Sequence, residues 1–398
     1  MRAHGRKRIT NPRYKCDFVD YSGLWSLSGR RATRSSTICL NGFLILIEVE
    51  YSYCERHVTN LYYRSNKVIF PGFFLLALLL CSCLDLQAEE LSSQPTLDKW
   101  VSITLDNDLF ISSDSGYTNG LYITFFAGSY NKELKPALLT RPLQWSMADQ
   151  PFVYQYNATT VGQVMITPED ITINTPQPND VPYSGLLFVQ QTNIKVYDSH
   201  SDKVSTTLGI VGPSSGADES QKMVHRLIGA DAPQGWEYQL NDEIVFQLSR
   251  GRIWRTWRSS TNTSDVLVGS DAKIGTLESS LTVGAMFRYG RNIEDSYSTA
   301  ILTDDRTINP VNINGGWYVY MGLSTAYVAN VIYLDGNTFK DSPSVDYDRE
   351  QIDVHMGFTY GWEDISVSVA LNNIDWLSSK DKQTDLREYG SITLLWRR

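Results

Sequence analysis

Three side chains in one short segment have the types and the spacing for acid–base chemistry. Residues 210–230 leave a strand-like stretch, enter a segment with an acidic first turn and end near Gly229. This pattern predicts a short helix. Asp218, Gln221 and His225 fall at positions i, i+3 and i+7, so they share one face of that helix. This polar face is the first candidate for a reactive site.

His225 is the central residue of this candidate site. It is one of three histidines after residue 88, with His200 and His355. Histidine titrates near neutral pH, and a neutral imidazole takes a proton from water when a neighbour fixes its tautomer. Gln221, one turn earlier, and Asp231, just after the helix, are the neighbours expected here. A purely structural histidine is the alternative that the residues leave open.

The predicted helix needs a start and an apolar surface beneath it. Ser215 or Asp218 is expected to cap its first turn. Val224, Leu227 and Ile228 are expected to pack the helix down onto something apolar. One helix with a polar stripe, set among strands, is therefore a plausible place for chemistry.

Residues 212–216 formally match the Gly-x-Ser-x-Gly nucleophile elbow. An elbow requires a sharp turn between a strand and a helix of a parallel α/β sheet, and no such pattern surrounds this segment. Pro213 beside the serine also makes the turn difficult. Helix capping explains Ser215 better, so no serine nucleophile is predicted.

A second polar cluster is expected where the first two strands meet. Asn107 and Asp108 follow the first strand, and residues 114–120, which include Thr118, open the second. Carboxylate and amide oxygens grouped in this way suit a hard cation such as Ca²⁺. Ordinary turn chemistry is the alternative, because Asp, Asn and Gly are also the common residues of hairpin loops.

The first quarter of the chain reads differently from the rest. Residues 66–88 have a basic start, an apolar run and a small-residue end, which predicts a signal peptide rather than a membrane anchor. Residues 1–65 show no periodicity and are expected to be an extension upstream of the true start. Residues 89–398 are then the functional domain.

The composition of residues 89–398 excludes several kinds of chemistry. All five cysteines of the chain precede this part, so no disulfide, reactive thiolate or cysteine metal site is expected in it. It holds 23 basic against 38 acidic residues, a net charge of −15. Nucleic acid is therefore not an expected partner, whereas a divalent cation is.

Twelve strand-like segments follow residue 98, several with alternating apolar and polar residues. Their expected ranges are 99–107, 117–128, 159–166, 183–195, 204–211, 238–248, 265–272, 277–289, 317–334, 351–362, 365–373 and 389–396. An even number of strands with aromatic residues near their ends favours a transmembrane β-barrel over a secreted soluble β-protein. The fold class predicted is all-β, a twelve-stranded antiparallel transmembrane barrel with one short helix.

Taken together, these motifs resemble the outer-membrane lipid A 3′-O-deacylases. The resemblance spans residues 97–398, and its most specific part is the Gln-x-x-x-His-Arg-x-Ile-Gly-Ala pattern at 221–230. The other matching segments are Asn-Asp at 107–108, Tyr-Thr-Asn-Gly at 117–120, Asp-Val-Pro-Tyr-Ser-Gly at 180–185 and Gly-Ile-Val-Gly-Pro at 209–213.

The resemblance implies a twelve-stranded barrel and Ca²⁺-dependent hydrolysis of the 3′-linked acyloxyacyl ester of lipid A. It implies that His225 is the general base, with Gln221 beside it and Asp231 where the family often has Glu. Asn107, Asp108 and Thr118 would complete the pocket and help to place the cation; these six form the implied site.

Two departures from the family pattern bear on the substrate. Val181 stands where the family's Asp-Arg-Pro-Tyr motif has arginine. A Lys-Arg pair that some members carry between the third and fourth strands is missing, and this stretch offers Glu169 and Asp170 instead. If those cations hold lipid A phosphates, the substrate here is a differently decorated lipid A or another acyl lipid.

The sequence thus predicts a monomeric esterase in the outer membrane of a Gram-negative bacterium, acting on lipid A or a related acyl lipid. Two other functions stay open: a non-enzymatic barrel, either a narrow pore or a structural protein, and a secreted β-protein that binds polysaccharide.

Overall fold

A computed structural model of the chain describes residues 31–40, 43–52, 98–107, 117–130, 132–147, 149–294, 296, 315–372 and 389–398. The chain divides into two compact units, Met1–Leu84 and Asp85–Arg398. The predicted signal peptide at 66–88 lies outside the described residues.

The first unit contains an antiparallel hairpin of β1 (Arg31–Leu40) and β2 (Phe43–Ser52). The sequence analysis found no element in residues 1–65, so this hairpin was not predicted. Its residues pair across the two strands without a register shift.

The second unit is a closed antiparallel barrel of twelve strands, as predicted. Each strand pairs with its neighbours in the chain, and β14 closes the barrel on β3. The strands are β3 (Asp98–Asn107), β4 (Tyr117–Tyr130), β5 (Tyr154–Ile166), β6 (Ser184–Val196), β7 (His200–Val211), β8 (Glu243–Arg258), β9 (Ser264–Gly275), β10 (Glu278–Arg291), β11 (Trp317–Val331), β12 (Glu350–Gly361), β13 (Ile365–Asn372) and β14 (Tyr389–Arg397).

Side chains alternate between the lumen and the outer wall along each strand, because successive residues of a strand point to opposite faces. In β3, Trp100, Thr104 and Asp106 are buried in the lumen, whereas Ile103 and Leu105 are exposed on the outside. Closure into a barrel removes every free sheet edge, which is what a bilayer requires of a strand protein.

Two apolar clusters of buried side chains lie in the lumen, with polar side chains between them. The first includes Trp100, Tyr156 and Tyr320, from β3, β5 and β11. The second includes Ile166 of β5 together with Val181, Leu240 and Leu334, which belong to segments that connect the strands. These connecting segments therefore contribute to the packing at that end of the barrel.

Polar side chains in the lumen form hydrogen bonds between neighbouring strands. Thr104 pairs with Thr393 at 2.8 Å. His355, for which the sequence indicated no partner, lies between Ser324 Oγ (2.8 Å from Nε2) and Asn372 Oδ1 (2.9 Å from Nδ1). Because His355 is only 4% exposed, we assign it a structural role in the lumen.

The helix α1 (Ala217–Ile228) forms where the sequence predicted it. Its end is also as predicted: Gly229 adopts a left-handed conformation (φ 74°) and its N–H bonds to the carbonyl of His225. Its start is not, because the N-cap is Gly216 (φ 70°) and no side chain caps the first turn. Ser215 instead accepts a long hydrogen bond, 3.4 Å, from the N–H of Ala217.

Other helical segments are short. A single helical turn, α2 (Ile332–Asp335), follows β11, and 3-10 segments occupy Leu138–Ser146, Pro213–Ser215 and Trp236–Tyr238. No helix in the described ranges has the length and apolar character needed to cross a bilayer.

The boundaries of β8 differ most from the prediction. The expected strand at 238–248 begins instead at Glu243 and continues to Arg258. The Trp236–Tyr238 segment is a 3-10 turn, and the Asn241–Asp242 connection holds the neighbouring loops: Asn241 exchanges hydrogen bonds with Asn337, and Asp242 accepts two from Ser214. These contacts are long-range and have no sequence signature.

Candidate active site

The elements that carry the predicted site residues meet at one end of the barrel. Antiparallel strands alternate in direction, so β3 ends, β4 begins and β7 ends at the same rim. We call this end the loop rim and the end that holds Asp98 and Arg397 the terminal rim. Asn107, Thr118 and α1 all lie at the loop rim.

The strand register places Asn107 in the same row of paired, outward-facing positions as Gly185, on which the start of α1 packs. Asn107 pairs with Asn119, Asn119 with Met165, and Met165 with Gly185. Side chains at directly paired positions share a face, and this row belongs to the outward set, opposite to the buried Asp106. With strands about 4.8 Å apart, Asn107 lies about 10 Å along the wall from Met165.

The start of α1 packs on this row, outside the barrel. Gln163 Nε2 donates a 2.7 Å hydrogen bond to the carbonyl of Ser215. A Cβ at Gly185 would lie 2.2 Å from Ser215 Oγ and 2.3 Å from Ala217 Cβ. Glycine at 185 is therefore what lets the helix approach the strand this closely.

An apolar cluster fastens the helix to the wall. It is made of Met165, Tyr183, Ala217 and Trp236, with Ile171 packed against it. The rings of Tyr183 and Trp236 lie 5.1 Å apart. Two consecutive loops of the loop rim, 167–183 and 212–242, thus close over the outer surface of β5 and β6.

Gln221 is held in one orientation by the same cluster. Trp236 Nε1 donates a 2.7 Å hydrogen bond to Gln221 Oε1. An indole N–H only donates, so the amide must turn its oxygen to Trp236 and its NH₂ group away. Gln221 is 2% exposed, and its Nε2 has no hydrogen-bond partner within the described structure. The site therefore contains a buried, oriented donor.

His225 is half-buried next to Gln221 on the same helix face. Its Nδ1 lies 2.5 Å from the carbonyl oxygen of Asp231. A carbonyl oxygen only accepts, so Nδ1 carries the proton and Nε2 is the basic nitrogen. The segment after α1 folds back far enough to fix this tautomer through its main chain.

Asp231 and Asp218 are placed differently from the sequence-based expectation. Asp231 contacts His225 through its carbonyl oxygen, while its side chain is on the exposed surface. Asp218 shares the helix face with Gln221 and His225, as predicted, but its carboxylate forms an ion pair with Lys222 at 2.6 Å.

The loop with the Asp-Val-Pro-Tyr segment at 180–183 has a scaffolding role. The Asp180 carboxylate accepts hydrogen bonds from the N–H groups of Glu169 (3.0 Å) and Val181 (2.6 Å). Desolvation raises the pKa of Asp180 and raises the pKa of Tyr183 to about 12. The Tyr183 hydroxyl donates to the carbonyl of Ile171 at 3.2 Å. The hydrogen bonds of both side chains thus stabilise the loop itself, and the Tyr183 ring packs in the same cluster as Ala217 of α1.

Of the residues predicted to form the cation site, Asn107 is the one whose side chain lies in the described structure. Asp108 lies outside the described residues, as does the side chain of Thr118. The backbone of Thr118 falls at a register shift between β4 and β5, a bulge of the kind that re-aims side chains near active sites. Asn107 and Asn119 are paired on the outer wall, which brings two amide oxygens to one edge. That donor set fits a hard cation.

Within the described ranges, no group of three or more His, Cys, Asp or Glu side chains is close enough to hold a metal ion. Asp106, which precedes Asn107, is not available to the outer site, because it faces the lumen and accepts a 2.5 Å hydrogen bond from Ser391.

Sequence reasoning did not identify Gln163, Gly185 or Trp236 as part of the site. Trp236 was classed with the aromatic residues near strand ends, and its 15-residue separation from Gln221 gives no periodic signal. Gln163 and Gly185 lie on strands whose outward register is set only when the barrel closes.

Comparison with known proteins agrees with this architecture. Residues 73–398 match the family described as "LpxR: Outer membrane protein LpxR". The structure of LpxR from Salmonella typhimurium superimposes with a TM-score of 0.58 at 18% identity, covering 75% of this chain and 99% of that one. No curated protein matches the chain.

Two other barrels superimpose less well. The translocator domain of the autotransporter NalP from Neisseria meningitidis gives a TM-score of 0.35 at 8% identity, with 83% and 98% of the two chains covered. The KdgM porin gives 0.31 at 7% identity, with 75% and 98% covered. These scores are too low to support an argument.

A closed barrel of twelve antiparallel strands is the architecture of proteins of the Gram-negative outer membrane, and the family that matches most of the chain carries that location in its description. The protein is therefore an outer-membrane protein, and its chain belongs to the LpxR family.

Proposed function

We propose that this protein is a lipid esterase that removes the 3′-O-linked acyloxyacyl chain from lipid A or from a closely related acyl lipid. The observation that carries the proposal is the outward placement of His225, with its Nδ1 bonded to the Asp231 carbonyl and its Nε2 left as a base. A histidine on the outer wall meets substrates from the bilayer, whereas one in the packed lumen could not.

The reaction requires a base, a donor and a means of holding the ester. A water next to Nε2 of His225 gives up a proton and attacks the ester carbonyl carbon. The C–O bond to the sugar then breaks, and the imidazolium returns the proton to the departing sugar oxygen. The products are a free hydroxyl on the sugar and a carboxylic acid.

Gln221 is suited to assist this step. Its amide is fixed by Trp236 before substrate arrives, so Nε2 is a preorganised donor for negative charge that develops on an oxygen. Thr118 is proposed to contribute a second polar group from the bulge at the start of β4.

Asn107 and Asp108 are proposed to hold Ca²⁺. When bound there, Ca²⁺ supplies positive charge that stabilises the oxyanion of the attacked carbonyl. Asn107 lies on the same outward row as the anchor of α1, which supports a shared site for the cation and the histidine.

We place the loop rim at the cell exterior, because it carries three long connections, 167–183, 212–242 and 332–349, and extracellular loops of outer-membrane barrels are usually the longer ones; the terminal rim carries the long connection 131–153. Lipid A occupies that leaflet. Glu169 and Asp170 are exposed on the same rim, and hydrogen bonds from Thr172 lower the pKa of Asp170. The added negative charge favours a substrate with fewer phosphates near the scissile ester.

The test is mass spectrometry of lipid A from a Gram-negative host with and without the full-length chain. The proposal expects a species lighter by one acyloxyacyl group only in cells that make the protein. Parallel hosts whose lipid A carries or lacks phosphate groups separate the two substrate possibilities. Unchanged lipid A in both hosts, with the protein folded in the outer membrane, would refute the proposed activity.

A further inference from the structure

The helix α1 exposes an apolar stripe on the side away from the barrel wall. Met223, Val224 and Leu227 are 55%, 42% and 78% exposed. The sequence predicted that Val224 and Leu227 would pack inward, and that prediction is wrong, because Ala217 and Gln221 form the buried face instead. A large exposed apolar stripe on a folded helix indicates a contact surface.

The stripe is narrow and has a charged border. At 100° per residue, Met223, Val224 and Leu227 fall within an arc of about 100°. Beside that arc lie Glu219, Lys222 and Arg226, all exposed, with Lys222 paired to Asp218. An apolar stripe flanked by charges is the pattern of a helix lying in a membrane interface.

On the β4 side, the lipid-facing wall of the barrel reaches the helix. Leu121, 46% exposed, is the cross-strand partner of Gln163, whose side chain binds the segment just before α1. Leu105, 38% exposed, is paired with Leu121 in turn. The apolar outer surface of β3 and β4 therefore extends to β5, the strand whose Gln163 anchors the start of the helix.

Apolar side chains also face outward on β7 and β8. Ile244 is 77% exposed and Phe246 43% exposed, and Phe246 pairs with Leu208, which is also exposed. These outward side chains belong to the surface that an outer-membrane barrel presents to hydrocarbon.

We propose that α1 lies in the membrane interface at the loop rim, with Met223, Val224 and Leu227 against lipid acyl chains and with Lys222 and Arg226 at the level of the headgroups. The outward apolar side chains on the strands to either side of the helix are what identify the occupant as lipid. The face of α1 that carries Gln221 and His225 then lies on the side of the barrel wall, while the face that carries Met223 and Leu227 lies in the bilayer.

The test is site-specific photocrosslinking in the outer membrane of living cells. The full chain is made with p-benzoylphenylalanine at position 227 or 223, and adducts are identified by mass spectrometry. Position 244 on the barrel wall is the positive control for lipid contact, and position 219 on the charged border is the matched control on the same helix. Heat-modifiable mobility in gels verifies that each variant is a folded barrel.

The proposal expects acyl-lipid adducts at 227 and 223 at a yield comparable to that at 244, and only background yield at 219. Lipid adducts at 244 with none at 227 would overturn it. Adducts of 227 with protein, either a second copy or another chain, would overturn it as well, because the stripe would then be a protein interface. The readout does not depend on hydrolysis, so it stands apart from the proposed activity.

Discussion

At the scale of single residues, the site depends on two hydrogen bonds, one that fixes the tautomer of His225 and one that fixes the orientation of the Gln221 amide. The carbonyl of Asp231 assigns the proton of His225 to Nδ1, and the indole of Trp236 turns the amide of Gln221. Neither bond is visible in the sequence, where Asp231 suggested a carboxylate partner and Trp236 suggested only an aromatic residue near a strand end. The candidate residues could be predicted, but not the atoms through which they act.

His225→Ala is expected to lower lipid A hydrolysis by about 10²–10⁴-fold, because a positioned general base contributes about that much. The measurement is the rate of release of the acyloxyacyl chain by the purified, folded protein. His200→Gln is the matched control, since His200 begins β7 at the terminal rim and stacks on Tyr197 there. Equal loss in both variants, or none at 225, would remove His225 from the mechanism.

Trp236→Phe is expected to keep the ring packing on Tyr183 but remove the donor to Gln221. The Gln221 amide is then free to turn, and we expect the rate of hydrolysis to fall about tenfold. This corresponds to a loss of about 1.4 kcal/mol of transition-state stabilisation. Trp145→Phe, at a side chain that is 84% exposed near the terminal rim, should leave the rate unchanged. Gln221→Ala should produce a loss that Trp236→Phe does not deepen, because the two residues act as one unit.

At the scale of elements, the strands were predictable and the orientation of the helix was not. All twelve barrel strands were predicted as strand-like segments, and several alternate between apolar and polar residues because one face of each strand points to the lumen and the other to lipid. The apolar residues of α1 were assigned to the protein side, because a sequence pattern does not distinguish an apolar face that packs on protein from one that faces hydrocarbon. The outward row from Asn107 to Gly185 also required the strand register, which closure of the barrel sets.

Gly185→Ala is expected to push α1 away from β6, because the new Cβ would lie within 2.3 Å of both Ser215 Oγ and Ala217 Cβ. Displacing a catalytic group by about 1 Å can cost about 10²-fold in rate. The experiment compares kcat and barrel stability in the variant with those in Gly322→Ala, where the nearest heavy atom is 3.2 Å from the new Cβ. Lost activity with unchanged unfolding temperature is expected only at 185.

At the scale of the whole molecule, two apolar clusters occupy part of the described lumen, and α1 packs on the outer wall of the barrel. The net charge of −15 after residue 88 favours the binding of divalent cations to the barrel domain.

Removal of Ca²⁺ is expected to abolish hydrolysis reversibly, because Asn107 and Asp108 are proposed to hold the ion. The assay adds EGTA to the folded protein in detergent, then restores Ca²⁺ or supplies Mg²⁺ instead. Mg²⁺ dehydrates reluctantly and demands strict octahedral geometry, so it should restore activity poorly. Asp108→Asn should raise the Ca²⁺ concentration needed for half-maximal rate. Full activity in excess EGTA would show that the ion has no part in the reaction.

The position of α1 outside the barrel also determines how the proposed activity should be assayed. A site that opens sideways onto a leaflet would meet its substrate by lateral diffusion, so bulk concentration would not be the quantity that governs turnover. In mixed micelles the rate should follow the mole fraction of lipid A and fall on surface dilution with inert detergent, even while the total amount of lipid in the tube stays constant.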